Sequence, residues 1–158
     1  MPRYFTHYWS NSTWLDHAER FDGQLLQHTA GNQFSKRKVG PGDLMYVVTV
    51  FEGILFLGAR MQVDRVVSTK EAEEHFGTSD LWKASEHIIA KSGSESRLAF
   101  DRQVPLDIVR SVKCLSGGLA RSLKFDTSGG LDKQTLRGVR ELTQDSAGLL
   151  DTLLQASH

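Results

Sequence analysis

The chain has 158 residues, with 19 basic and 19 acidic side chains and a formal net charge of zero. Apolar residues make up 39% and charged residues 24%, a globular balance that excludes a disordered or fibrous chain. With no net positive field, any contact with nucleic acid must come from a local patch. The single cysteine, Cys114, excludes an internal disulfide and a cysteine-based zinc cluster, and fits a reducing, cytoplasmic setting.

From Tyr4 to Trp9, Phe5, His7 and Trp9 alternate with Tyr4, Thr6 and Tyr8, the pattern of a short strand. No apolar stretch of signal-peptide length opens the chain. Ser10-Asn11-Ser12-Thr13 then supplies capping side chains for a helix with Trp14, Ala18 and Phe21 at helical spacing, stopped by Asp22-Gly23. Residues 24–38 have little periodicity and read as a loop. Gly40-Pro41-Gly42-Asp43 is a tight turn, in which the Asp43 carboxylate accepts local backbone N–H bonds.

Leu44–Phe51 and Ile54–Val67 read as two strands joined through Glu52-Gly53, with glycine where a type I′ turn needs it. Both faces are apolar as far as Met61, so both require cover, as in a closed or sandwiched sheet. The Glu-Gly interruption and the β-branched content argue against a membrane span. Ser68 and Glu71 form a capping box for a short helix ending before Gly77. Trp82–Lys91 and Arg97–Val104 read as strands, and Pro105 opens a helix running to about Val112. Ser122–Phe125 is a candidate strand, and Leu142–Leu154 an amphipathic segment with Thr143 as N-cap. Without repeats or linkers, residues 1–158 form a single domain, expected to be monomeric.

Signatures of common enzymes are missing. There is no phosphate-binding loop, no dinucleotide fingerprint and no nucleophile elbow. The six histidines are scattered, and spacing supports no metal site and no cofactor. What stands out is the aromatic and amide density of Tyr8, Trp9, Asn11, Trp14, His28, Asn32 and Phe34 ahead of the apolar hairpin. Rings can sandwich a base, with stacking worth roughly 1–3 kcal/mol per base. Amides and hydroxyls can read its edge. Lys36-Arg37-Lys38, directly after this cluster, can hold phosphates.

Four stretches resemble the PUA-like superfamily, and within it the EVE-type domains that read modified bases. They are Tyr4-Phe5-Thr6-His7-Tyr8-Trp9-Ser10-Asn11, the Asn32-x-Phe34 segment, Gly42-Asp43-Leu44-Met45-Tyr46, and the return strand Ile54–Val63. Residues 104–109 and 136–143 are similar to that family's closing elements. The resemblance implies an α+β fold, a small mixed β-barrel of five or six strands flanked by helices. It also implies a pocket that captures one flipped modified base, 5-methylcytosine first among the candidates, linked to restriction of methylated DNA by a nuclease acting in trans. Carried onto this chain, the pocket residues are Trp9, Ser10, Asn11, Trp14, Asn32, Phe34 and Tyr46. His28 and Thr29 join them for their nearness to Asn32. The Trp and Arg that family members carry just ahead of the loop asparagine are replaced here by Ala30-Gly31. Two other readings stand beside the DNA reader. One is a reader of modified RNA; the other is an ASCH-like hydrolase of a modified nucleoside, using Thr49 with Glu52 or Lys36.

Overall fold

The apolar hairpin is the spine of the molecule. Its turn residues both adopt positive φ, Glu52 at 48° and Gly53 at 79°, as a type I′ turn requires. A side chain at Gly53 would also come within 2.8 Å of the Gly130 backbone, so this position has two reasons to be glycine.

The computed structural model describes residues 2–156. In chain order the elements are β1 (Tyr4–Tyr8), α1 (Asn11–Phe21), β2 (His28–Gly31), β3 (Leu44–Phe51), β4 (Ile54–Val67), α2 (Thr69–Phe76) and β5 (Glu86–Ala90). There follow α3 (Leu106–Ser111), β6 (Lys113–Ser116), β7 (Leu119–Ser122), a 3-10 turn at Lys133–Leu136, β8 (Val139–Leu142) and α4 (Gln144–Ala156). The eight strands form one mixed sheet in the order β2-β5-β4-β3-β1-β8-β6-β7. β1 runs parallel to β3 and antiparallel to β8.

The fold is α+β, but the expectation of a closed five- or six-stranded barrel is corrected: the sheet is open, with β2 and β7 at its edges. The hairpin's two apolar faces are covered by two separate layers instead of by curvature. Met45, Val47, Ala59 and Met61 pack with Phe5, Trp14, Phe34 and Leu98 on one side. Tyr46, Val48, Val50, Leu55 and Leu57 pack with Val109 of α3 and Ala147 and Leu150 of α4 on the other. Two-sided burial satisfies the same sequence pattern that closure would.

Local departures follow from backbone pairing that side-chain periodicity does not report. The expected loop at residues 24–38 contains β2, which pairs antiparallel with β5, His28 opposite Ile89. Residues 97–104 are not a continuous strand. They follow β4 through spaced bonds, Ala99 N–H to Gly58 O (3.1 Å) and Val104 N–H to Leu55 O (2.8 Å). β5 covers only the second half of the expected Trp82–Lys91 strand. The candidate strand Ser122–Phe125 gives way to the β6–β7 hairpin, turned at Gly117-Gly118. The caps agree with expectation. Ser68 and Glu71 make the capping box of α2, which ends at Gly77 in the left-handed region, and Thr143 Oγ1 accepts from Ser146 N–H at the start of α4. Asp43 accepts from Gly40 N–H (2.9 Å) and from Arg3 N–H (3.0 Å).

Candidate functional site

β1 ends where α1 begins, and a cavity of about 70 Å3 opens there. At 10–15 Å3 of such space per water, it has room for about five waters, or one small planar ring. Its walls include Trp9, Ser10, Thr13, His17, His28, Thr29, Ala30 and Trp82. Alternation along β1 turns His7 and Trp9 to the same side, and Trp9 N–H continues the ladder to Val48 O (2.8 Å). Ser10 caps α1, its Oγ accepting from Thr13 N–H, and one helical turn later His17 stands over the Trp9 indole. The two ring centroids are 4.5 Å apart, inclined at 44°. Trp82, from the segment between α2 and β5, closes the rim at 5.5 Å from His17 and is 40% exposed.

Thr29 on β2 sits at the base of the cavity. Its hydroxyl oxygen accepts from Trp9 Nε1–H (2.9 Å) and lies 2.8 Å from His7 Nδ1. Gly31 makes room for this arrangement, since a Cβ there would lie 2.9 Å from Phe34 Cζ and 3.0 Å from His7 Nε2.

The hydrogen-bond chain fixes the tautomers. The Thr69 hydroxyl donates to Ala84 O (3.0 Å), so it can only accept from the His87 ring nitrogen 3.1 Å away. His87 Nε2 therefore carries the proton and Nδ1 accepts from His28 Nε2–H at 2.7 Å. That leaves Nδ1 of His28 as a bare acceptor. In the same way His17 Nδ1–H donates to Thr13 O (2.9 Å), leaving Nε2 as an acceptor. Both rings are held neutral. Burial, reinforced by His87 and His17, pushes His28 down to about 4. His17 is also lowered, burial outweighing its bond to Thr13. Burial and the nearby His28 bring His7 down to about 3. The site therefore combines ring faces with imidazole acceptors and excludes positive charge from its floor at neutral pH.

Of the residues expected to form a pocket, Trp9, Ser10, His28 and Thr29 line this cavity. Asn11 faces the adjoining cleft, with its side-chain oxygen 3.2 Å from the Thr49 hydroxyl. Trp14, Phe34 and Tyr46 are placed elsewhere, for a common reason: their side chains complete the two cores. Trp9, although it lines the cavity, is 4% exposed and belongs to the same core cluster as Trp14 and Phe34. Trp14 is 2% exposed, donates to Phe100 O and meets the Phe100 ring edge-on. Phe34 is fully buried, edge-on to the ring of His7. Tyr46 points to the opposite face of the sheet, where its hydroxyl donates to Asp151 (2.8 Å). Asn32 is exposed and accepts from Ser85 N–H (2.8 Å), tying β2 to the segment before β5.

Lys36, Arg37 and Lys38 are not beside the cavity. They line a second cleft at the other end of β1, five residues or roughly 16 Å away at the usual strand rise. Lys133 and Arg137 lie in a cleft of about 300 Å3 that shares Tyr8 and Ser10 with the cavity. Arg20, paired with Asp16 and Asp80, lines another that shares Trp9, His17 and His28. Thr49 is fully buried and donates to Trp9 O (2.7 Å), so its hydroxyl is unavailable as a nucleophile, and Lys36 lies in the other cleft. Cys114 is half-buried, and burial pushes its thiol up to about 11.

Sequence reasoning missed His17, Trp82, Lys133 and Arg137. The first had a signal, four residues after Thr13 on one helix face. Trp82 was legible only as an indole stranded among Ser79, Asp80 and Lys83. The two cations carried no signal.

Compared with protein-family models and with curated proteins, the chain matches none. Among the described residues, no helix is long and apolar enough to cross a membrane.

Proposed function

We propose that this protein is a non-enzymatic reader of modified DNA, taking one flipped base, 5-methylcytosine, into the cavity beside Trp9. The observation that carries this reading is the combination of the Trp82 and His17 rings at the mouth of the cavity, Trp9 being buried behind His17, with neutral imidazole acceptors on His28 and His17. Cytosine carries an exocyclic amino group that can donate to those acceptors, whereas thymine presents a carbonyl oxygen at the same edge. Extrusion of a base costs a few kcal/mol. Stacking at roughly 1–3 kcal/mol per base and two hydrogen bonds at about 1 kcal/mol each offset that cost. A methyl group against Ala30 adds up to about 0.8 kcal/mol, so sharper methyl selectivity must come from the shape of the cavity.

In this reading Lys133 and Arg137 hold the phosphates flanking the flipped nucleotide, and the chain is a divergent PUA-like, EVE-type domain with an open sheet. The Trp9-Ser10-Asn11 step from β1 into α1 supports that kinship. Cleavage of marked DNA would fall to a separate nuclease. The test is a fluorescence titration of methylated duplex, unmodified duplex and modified RNA at fixed salt. Tighter binding of methylated duplex is expected. Equal weak binding of all three removes the proposal, and a preference for RNA reassigns the ligand.

A further inference from the structure

The cleft at the far end of β1 has a volume of about 670 Å3 and a lining in which cations outnumber carboxylates. Lys36, Arg37, Lys38, Arg121, Lys124 and Arg140 line it, against two carboxylates, Asp132 and Glu141. Both carboxylates are engaged within the fold, although only Glu141 is paired with a cation. Glu141 is engaged by Arg3 through a two-pronged contact at 2.9 and 3.2 Å, and Asp132 caps the 3-10 turn by accepting from Gln134 N–H (2.9 Å).

Two further features set this surface apart from a solvated charge cluster. The Nε atoms of Arg37 and Arg140 are buried without a hydrogen-bond partner, although both side chains line the cleft. A buried N–H left unpaired is costly, and rotation of either guanidinium toward an anion in the cleft would relieve it. The loop carrying the cations is also held in shape. Arg3 donates to the carbonyls of Lys38 (3.0 Å) and Arg37 (3.2 Å), and Lys38 sits at φ 58°, a left-handed conformation that is uncommon for lysine.

We propose that this cleft is a second, separate binding site for phosphoryl anions, either the phosphodiester backbone of a nucleic-acid strand or a free polyphosphate. Arginine forks match phosphate oxygens, and Arg37 and Arg140, whose Nε–H groups make no bond at rest, lose none there when their guanidinium groups turn toward a phosphate. At roughly 16 Å from the cavity, the cleft would meet phosphates about five steps along a strand from a base held beside Trp9. It binds on its own account whether or not the cavity does.

The test uses the full chain and two probes, a fluorescent unmodified oligothymidylate and inorganic tripolyphosphate. Thymine carries no amino group for the cavity, and any phosphate contact at Lys133 and Arg137 is the same in wild type and in a variant of the far cleft, so the difference between the two proteins reports that cleft. The exposed triple variant K36Q/R121Q/K124Q leaves the buried arginines and the core in place. Expected is binding of at least one probe that weakens tenfold or more in the variant. For the oligomer, the salt slope should fall by about two, at roughly 0.7 per lost single-strand contact. The tighter probe names the source of the phosphate. Absence of binding by both probes, or binding that the triple variant leaves within twofold, overturns the site.

Discussion

Acid should destabilise this protein well before its carboxylates are neutralised. The perturbation is a drop from pH 7.5 to 5.0. In the folded chain His7 and His28 titrate near 3 and 4, because burial penalises the charged ring, whereas an unfolded histidine titrates near 6.5. Between those values the unfolded chain binds more protons, so stability is full above pH 6.5 and declines as pH falls toward about 4. At pH 5.0 each ring has lost 1.5 pH units of advantage at about 1.36 kcal/mol per unit, about 2 kcal/mol each and about 4 kcal/mol together. His17 and His87, also lowered by burial, act in the same direction. Against a total stability of about 5–15 kcal/mol that loss is large. Urea unfolding followed by tryptophan fluorescence is the assay. With a slope near 2 kcal/mol per molar, the midpoint should fall by about 2 M. The variant His28→Gln, which can still donate to His87, should remove close to half of the shift. A midpoint that moves by less than about 0.5 M would refute the claim that these imidazoles fold neutral.

Three other outcomes are expected. Trp82→Ala should leave stability nearly unchanged, because the ring is 40% exposed, yet weaken binding of a methylated duplex by about 1–3 kcal/mol, roughly 5- to 150-fold in Kd. Gly31→Ala should cost about 1–3 kcal/mol in chemical denaturation, since its methyl group drives into Phe34 and His7; a neutral result would mean that those rings can shift freely. Tyr46→Phe should cost about 1.5 kcal/mol, as Asp151 loses the phenol but keeps Arg60 at 2.9 Å, and should leave ligand binding untouched because Tyr46 faces the other layer.

Much of the local structure is written in short patterns. Ser10, Ser68 with Glu71, and Thr143 cap helices through side-chain oxygens a few residues from their targets, and Glu52-Gly53 sets the hairpin turn. Such contacts are local, so residue order suffices to find them. Two-sided burial of β3 and β4 was equally legible. What the pattern could not choose was between closing the sheet on itself and covering it with two layers, because both bury the same side chains. β2 escaped notice since its pairing with β5 joins residues far apart in the chain, such as Thr29 and Ile88, and leaves no trace in the periodicity of residues 24–38.

The site divides along the same line. The sequence by itself determined that Trp9 and Ser10 would stand at the junction of a strand and a helix, because alternation and capping are nearest-neighbour physics. Only the tertiary structure decided which rings meet, joining His17 and Trp82 to Trp9, sending Trp14 and Phe34 inward, and carrying Lys36-Arg37-Lys38 to the opposite end of β1. The physical reason is that ring contacts and charge clusters depend on strand order and register, which side chains far apart in the chain settle together.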